Sequence, residues 1–75
     1  MKSSQVVDAK GLVCPMPIVY TKKAMDKLEP GQILEVHATD RGALADVPAW
    51  AKAAGHTLTE QKEVANVLIF FIEKV

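Results

Sequence analysis

The sequence predicts a two-layer α/β sandwich in which two helices cover one face of a β-sheet. Two observations predict this fold class. Segments rich in β-branched and apolar residues alternate with segments of helical spacing, in the order βαβαββ. The chain has 75 residues, which is enough for one domain, so we expect residues 1–75 to form a single domain around one core.

A strand and a helix are predicted first. Gln5–Ala9 is short and rich in β-branched residues, and Gly11 ends it. Pro15 suits the first turn of the following helix, because a missing N–H costs nothing there. Helical spacing then recurs at Ile18, Thr21, Met25 and Leu28. Pro30 and Gly31 end this helix.

A second strand and a second helix follow. Residues 32–39 alternate with period two, which places Leu34, Val36 and Ala38 on one face of the strand. Helical spacing is then found at Leu44, Val47, Ala51 and Ala54. Asp46 is the predicted N-cap of this helix, with Pro48 in its first turn, and Gly55 ends it.

The last third of the chain predicts a β-hairpin. Residues 57–63 alternate and are polar, Val67–Glu73 is apolar on both faces, and residues 64–66 form the turn. A strand that is apolar on both faces is expected in the centre of the sheet, which leaves the polar third strand at an edge. The helix-free face must then carry exposed apolar side chains, which predicts a contact surface for a partner or a second copy.

Composition argues against several function classes. Nine basic residues balance nine acidic ones, so the footprint of a direct nucleic-acid binder is missing. A single cysteine cannot form an internal disulfide, which favours a reducing compartment. No apolar signal core follows Met1, and the longest apolar run, residues 64–72, is too short to span a membrane as a helix. We therefore expect a cytoplasmic protein without a membrane partner.

Cys14 is the residue best placed to carry chemistry. It lies between the first strand and the first helix, where the helix dipole and free N–H groups favour a thiolate. Pro15 and Pro17 restrict the backbone after the thiol. The alternative is a small apolar residue packed at the helix start, because free cysteines are often buried. Composition and spacing leave both interpretations open.

Nearly the whole chain resembles the TusA/SirA-like family of sulfur carriers. The resemblance rests on the motif Cys14-Pro15-Met16-Pro17 after Gly11, and on residues 8–17, 38–40, 46–50 and 54–56. It implies a mixed four-stranded sheet, in a fold like that of the C-terminal domain of translation initiation factor three. It also implies that Cys14 accepts sulfur as a covalent persulfide and passes it on, with no other cofactor.

The same resemblance implies protein partners. The sulfur donor would be a cysteine desulfurase, a rhodanese-like protein or a DsrE-like protein, and the acceptor would be a second protein. Only Cys14 receives the catalytic, sulfurtransferase-type role, and Pro15, Pro17 and Gly11 would support the motif. The pathway stays open among tRNA thiolation, cofactor synthesis, sulfur oxidation and selenium handling, as does the oligomeric state.

The sequence departs from the family pattern at two places. Met16 stands where relatives that act in tRNA thiolation resemble Cys-Pro-Glu-Pro. Residues 40–48 lack the arginine that many relatives carry just before the aspartate, whereas Arg41 replaces a proline at the other end of this segment.

Three charged residues are candidate contacts to the thiolate or to a partner. Loops that follow adjacent parallel strands meet at one edge of a sheet, so we expect the loop after the second strand beside Cys14. Arg41 and Asp40 lie in that loop, and Lys10 precedes Cys14. The alternative for Arg41 and Lys10 is an ordinary solvated charge, and for Asp40 a helix cap.

Two histidines, one tryptophan and the fold itself allow other interpretations. His37 and His56 lie on different elements without cysteine or acidic partners at ligand spacing, so no metal site is predicted. Trp50 is expected in the core or at its rim. A non-catalytic adaptor that binds through the helix-free sheet face is the main alternative function. An RNA-binding module rests on fold analogy alone, and the balanced charge argues against it.

Overall fold

Six elements follow one another in the predicted order βαβαββ. The computed structural model describes residues 4–13 and 16–75. Its elements are β1 (Gln5–Ala9), α1 (Met16–Met25), β2 (Ile33–Ala38), α2 (Ala43–Ala53), β3 (Thr57–Val64) and β4 (Val67–Glu73). None of the helices in these described stretches combines the length and the apolar character that crossing a membrane requires.

The sheet is mixed, with strand order β1-β2-β4-β3. β1 and β2 are parallel, whereas β4 pairs antiparallel with both β2 and β3. β4 is therefore a central strand and β3 an outer one, which confirms the prediction from their apolar and polar patterns. The parallel β1–β2 pair is the one that needs a helical crossover, which α1 provides.

The core lies between the helices and one face of the sheet. Alternate residues of β2 and β4 are fully or almost fully buried there: Leu34, Val36, Ala38, Leu68, Phe70 and Ile72. The predicted inward face of the second strand is thereby confirmed. α1 contributes Met25 and Ala24 to this core, and α2 contributes small side chains. Small residues on the helices allow their backbones to approach the sheet closely.

The opposite, helix-free face carries the predicted exposed apolar side chains mainly on the outer strands. Val6 of β1 is 52% exposed and Val64 of β3 is 54% exposed. On the central strands, Ile69 and Phe71 are half-buried beside a bonded pair formed by the Glu35 carboxylate and the His37 ring.

The helix α1 ends at Met25, earlier than the predicted spacing through Leu28. Leu28 is still buried, but its N–H donates to the carbonyl of Met25, a tighter bond than that of an α-helix. The Lys74 ammonium donates to the carbonyl of Met25 at 3.0 Å and also to that of Leu28. A residue from beyond β4 thus caps the carboxyl end of α1.

The predicted start of α2 at Asp46 is wrong. The helix begins at Ala43 with Gly42 as its N-cap, no side chain caps it, and Asp46 lies inside the helix with its N–H bonded to the Gly42 carbonyl. Pro48 therefore lies beyond the first turn, where it removes one intrahelical donor.

The buried face of α2 also differs from the predicted one. It consists of Ala43, Val47 and Ala51, at a spacing of four residues, whereas Leu44 and Ala54 are exposed. The prediction followed Leu44 because it is the largest apolar side chain in this part of the helix. The close approach of the helix to the sheet instead selects alanine.

The hairpin between β3 and β4 confirms the predicted turn, although Val64 belongs to the strand. Ala65 and Asn66 form a two-residue loop with φ of 51° and 68°. Positive φ at both central residues is the conformation that matches the twist of a hairpin. A bulge between Leu58 and Glu60 interrupts β3 opposite β4.

Candidate functional site

The candidate site lies at the edge of the sheet where β1 and β2 end side by side. Ala9 and Ala38 are register partners at the last position of each strand. Loops 10–13 and 39–42 follow directly, and the Gly11 N–H donates to the hydroxyl oxygen of Thr39 at 2.9 Å. The expected meeting of these two loops is therefore confirmed at Gly11, whereas the place of Cys14 beside loop 39–42 stays a prediction. Cys14 and Pro15 lie outside the described residues.

The loop that leads to the motif begins with a tight turn. The Leu12 N–H donates to the Ala9 carbonyl at 3.2 Å, and Gly11 has φ of +81°. A positive φ at this third position is that of a type II turn, which favours glycine. The Lys10 N–H also donates to the Asp8 carboxylate at 3.1 Å. Gly11 thus directs the chain from β1 toward the motif.

The residues on either side of Cys14 and Pro15 present apolar side chains to solvent. Val13 is 68% exposed and Met16 is 39% exposed. Pro17, in the first turn of α1, is buried, and its carbonyl accepts a hydrogen bond from the Thr21 hydroxyl at 2.7 Å. Pro17 thus anchors the carboxyl-terminal end of the motif in the core, whereas Val13 and Met16 remain accessible to a partner.

The charged candidates Lys10, Asp40 and Arg41 all lie in the two loops at this edge. Arg41 Nη1 is 2.9 Å from Glu63 Oε2, which ties loop 39–42 to β3. Lys10 Nζ is 4.0 Å from the Asp8 carboxylate. The Asp40 backbone carbonyl accepts the Ala43 N–H at 3.0 Å, but the N-cap is Gly42. Contacts of Lys10, Asp40 and Arg41 with the Cys14 sulfur remain predictions.

Trp50 and the two histidines have partners or positions elsewhere in the fold. Trp50 is half-buried, packs against the core and has its ring 5.6 Å from that of His56, which confirms its predicted place at the rim. The His56 ring nitrogen Nδ1 accepts the Val75 N–H at 3.3 Å. His37 lies on the helix-free face.

Thr39 is the residue at this edge that the sequence did not single out as functional. Its hydroxyl connects the end of β2 to the loop that carries the motif. The sequence offers two signals for it: its place at the end of a strand with a parallel neighbour, and its position within residues 38–40, on which the family resemblance partly rests. The contact spans 28 positions along the chain, so no local pattern predicts it.

Comparison with known proteins identifies the family. The family model described as sulfurtransferase TusA matches residues 5–74. The chain belongs to this family. The resemblance to TusA/SirA-like proteins that the motif indicated is thereby confirmed, and it supports a sulfur-carrier role.

Individual relatives agree with this assignment over almost the whole chain. The putative sulfur carrier protein YrkI of Bacillus subtilis is 64% identical over 74 residues, which cover 99% of each chain. The sulfur carrier protein TusA of Allochromatium vinosum is 44% identical over 70 residues, covering 93% of this chain and 92% of that protein. The crystal structure of a SirA-like protein from Desulfitobacterium hafniense superposes with a TM-score of 0.82 at 28% identity, covering 92% and 95% of the two chains.

Proposed function

We propose that this protein carries sulfur as a persulfide on Cys14 between a donor protein and an acceptor protein in the cytoplasm. The observation that carries this proposal is the family match over residues 5–74, within which the sole cysteine stands in the motif Cys14-Pro15-Met16-Pro17. Several relatives are named as sulfur carrier proteins.

The proposed cycle consists of two exchange reactions. The Cys14 thiolate attacks the outer sulfur of a donor persulfide, so that a bond forms between Sγ and that sulfur. The sulfur–sulfur bond of the donor breaks, and the donor cysteine leaves as a thiolate. An acceptor thiolate then attacks the outer sulfur held on Cys14, and Cys14 leaves as a thiolate. Neither step needs an external oxidant, a second cysteine in this chain or a cofactor besides the carried sulfur.

The position of the motif supports transfer between proteins. The motif follows the edge at which β1 and β2 end. Its residue Met16 and the preceding Val13 are exposed. A donor active site can reach a thiol at such an edge without opening the core. A cysteine desulfurase, a rhodanese-like protein or a DsrE-like protein has the persulfide chemistry that the first step requires.

Mass spectrometry of the intact chain tests the proposal. The protein is incubated with a cysteine desulfurase and cysteine, with a persulfide-loaded rhodanese-like protein, or with a persulfide-loaded DsrE-like protein. We expect a mass increase of one sulfur atom in the wild type and none in Cys14→Ser. A loaded Cys14→Ser chain, or no loading from any of the three donors, contradicts the proposal, and the second result favours a non-catalytic adaptor.

A further inference from the structure

A groove of about 400 Å³ runs between β1 and α1. Its floor is apolar and includes Val7 and Ala24, both of which belong to the core. Lys23 of α1 and Lys27 of the turn after it line one side, and the outer strand β1 forms the other. The groove therefore combines an apolar floor, a basic wall and the edge of a sheet.

The edge of β1 is suited to accept another strand. β1 pairs with β2 on one side and is the outermost strand on the other. Backbone N–H and C=O groups project from both sides of a strand, so those that point away from β2 lie along the groove. The pairing of β1 with β2 is regular over all five residues.

The other outer strand, β3, is protected against such pairing. A bulge interrupts it between Leu58 and Glu60, and bulges disturb the regular ladder that an added strand needs. Glu60 and Lys62 lie within 4.0 Å of each other on this strand, and charged side chains also discourage edge pairing. The two outer strands are thus not equivalent, and β1 is the one open to pairing.

The charges around the groove indicate what kind of strand it accepts. Lys23 lies on α1 and Lys27 in the turn directly after it, and both are exposed. Within residues 4–13 and 16–75, neither forms a salt bridge, whereas Lys10 and Lys62 are each within 4.0 Å of a carboxylate. Asp8, the acidic residue of the groove, is already bonded to the backbone N–H of Lys10.

We propose that this groove binds an extended, acidic segment of a partner protein, which adds to β1 as a further strand. Backbone hydrogen bonds to β1 supply affinity, Val7 and Ala24 receive apolar side chains, and Lys23 and Lys27 select carboxylates. A second copy of this chain fits less well. Two β1 strands paired about a two-fold axis bring the basic walls of both copies to the same face, where their charges repel.

The direction of the groove connects it to the motif. The groove is lined along β1 from Gln5 to Asp8, and Asp8 lies one residue before the end of that strand, which loop 10–13 follows. A segment bound along β1 thus leads toward loop 10–13, which precedes Cys14 in the chain, so a donor or acceptor protein held there approaches the motif. This last step rests on the proposed function, whereas the binding itself does not.

Selection from a display library of random peptides of about eight residues, a common strand length, tests the proposal with the full chain as bait. We expect enriched peptides to be acidic and free of proline. When the best of them is added to labelled protein, amide chemical shifts should change in β1 and α1. Enrichment of basic or neutral peptides, or shifts confined to β3 or the helix-free face, overturns the proposal.

Charge reversal and backbone methylation sharpen this test. The double variant Lys23→Glu/Lys27→Glu should weaken peptide binding at least about tenfold at low salt. The matched control Lys52→Glu, which reverses an exposed lysine of α2 outside the groove, should leave binding unchanged. In an added strand, peptide amides that point toward β1 alternate with amides that point away from it. N-methylation of the first set should therefore abolish binding, and N-methylation of the second set should not. Equal affinity of all protein variants, or of both methylated peptides, overturns the proposal.

Two further measurements separate this inference from its alternatives. Sedimentation of the wild type should show a monomer. A dimer that dissociates in the double variant would show that a second copy of this chain occupies the groove, which overturns the proposal that an acidic segment binds there. Loading of Cys14 by inorganic polysulfide should be equal in the wild type and the double variant. Failed loading in both would count against the proposed function alone, because peptide binding is measured independently of it.

Discussion

The covered face of the sheet and the edge where β1 and β2 end are held together by different forces. On the covered face, Phe70, Leu34 and Val36 are fully buried, and burial of such side chains contributes roughly 1.5–3 kcal/mol each. At the edge, among the described residues, a hydrogen bond from Gly11 to Thr39 connects the two loops, and an exposed ion pair between Arg41 and Glu63 ties loop 39–42 to β3. Exposed ion pairs contribute only about 0–1 kcal/mol. The covered face therefore supplies most of the stability, and residues at the edge can serve chemistry at little cost to it.

The largest loss of stability is expected from Phe70→Ala. Phe70 is the largest fully buried side chain, on the central strand β4, and its removal leaves a cavity in the core. We expect the free energy of unfolding to fall by about 3–5 kcal/mol, measured by urea denaturation followed by circular dichroism. The matched variant Phe71→Ala, on the half-buried opposite face, should cost clearly less. Equal losses for the two variants would show that the helix-free face is as important for stability as the covered one.

A smaller loss is expected from Lys74→Met, which keeps the apolar stem and removes the ammonium. That ammonium bonds to the carbonyls of Met25 and Leu28 at a partly buried site. Hydrogen bonds to a charged group contribute about 1.5–3 kcal/mol net, and partial access of water lowers that contribution here. We expect unfolding to become easier by about 1–2 kcal/mol and amide exchange to accelerate at residues 26–29. The variant Lys62→Met, on the edge strand β3, is the control. If both variants have the same exchange rates at residues 26–29, the cap contributes nothing.

Thr39→Val probes the edge itself and should cost still less. The variant keeps the shape of the side chain and removes the oxygen that accepts the Gly11 N–H. Because water can reach this exposed N–H, we expect a loss of about 0.5–1.5 kcal/mol, together with slower sulfur loading of Cys14. Thr39→Ser should preserve both properties. Slower loading in the serine variant as well would show that the methyl group, and not the hydrogen bond, positions the loop.

The smallest change in stability is expected from Cys14→Ser, although it should abolish sulfur loading. We expect the free energy of unfolding to stay within about 0.5 kcal/mol of the wild type, as for substitutions away from the core. Chemical denaturation and mass spectrometry on the same samples measure the two effects. A loss of several kcal/mol, as in core truncation, would support the alternative that Cys14 is a packed side chain.

Patterns within single elements predicted most of the fold. The strand Val67–Glu73 was placed in the centre of the sheet because it is apolar on both faces, and the polar segment before it was placed at the edge. The start of α2 was misplaced because Asp46 is a common type of N-cap, whereas Gly42 uses no side chain. Large apolar residues carry the strongest periodic signal. Leu44 therefore concealed the face formed by Ala43, Val47 and Ala51.

The sequence predicted two parts of the candidate site, namely the motif residues and the meeting of the two loops. Cys14, Pro15 and Pro17 follow from the sequence pattern, and the meeting of the two loops follows from parallel strand topology. The bond between Gly11 and Thr39 and the pairing of Arg41 with Glu63 join residues that are 28 and 22 positions apart. Such contacts depend on the packed structure and leave no periodic trace in the chain.

The central place of β4 has a consequence for how the protein forms during translation. β2 and β3 have no contact with each other through the sheet except by way of β4, which follows both of them in the chain. While residues 67–73 are still inside the ribosome, the nascent chain has only the β1–β2 pair, and the apolar face of β2 lacks its neighbour on one side. We therefore expect the sheet to close only after β4 has emerged, in one late step that includes the β2–β4 pairing, whose register partners are distant in sequence.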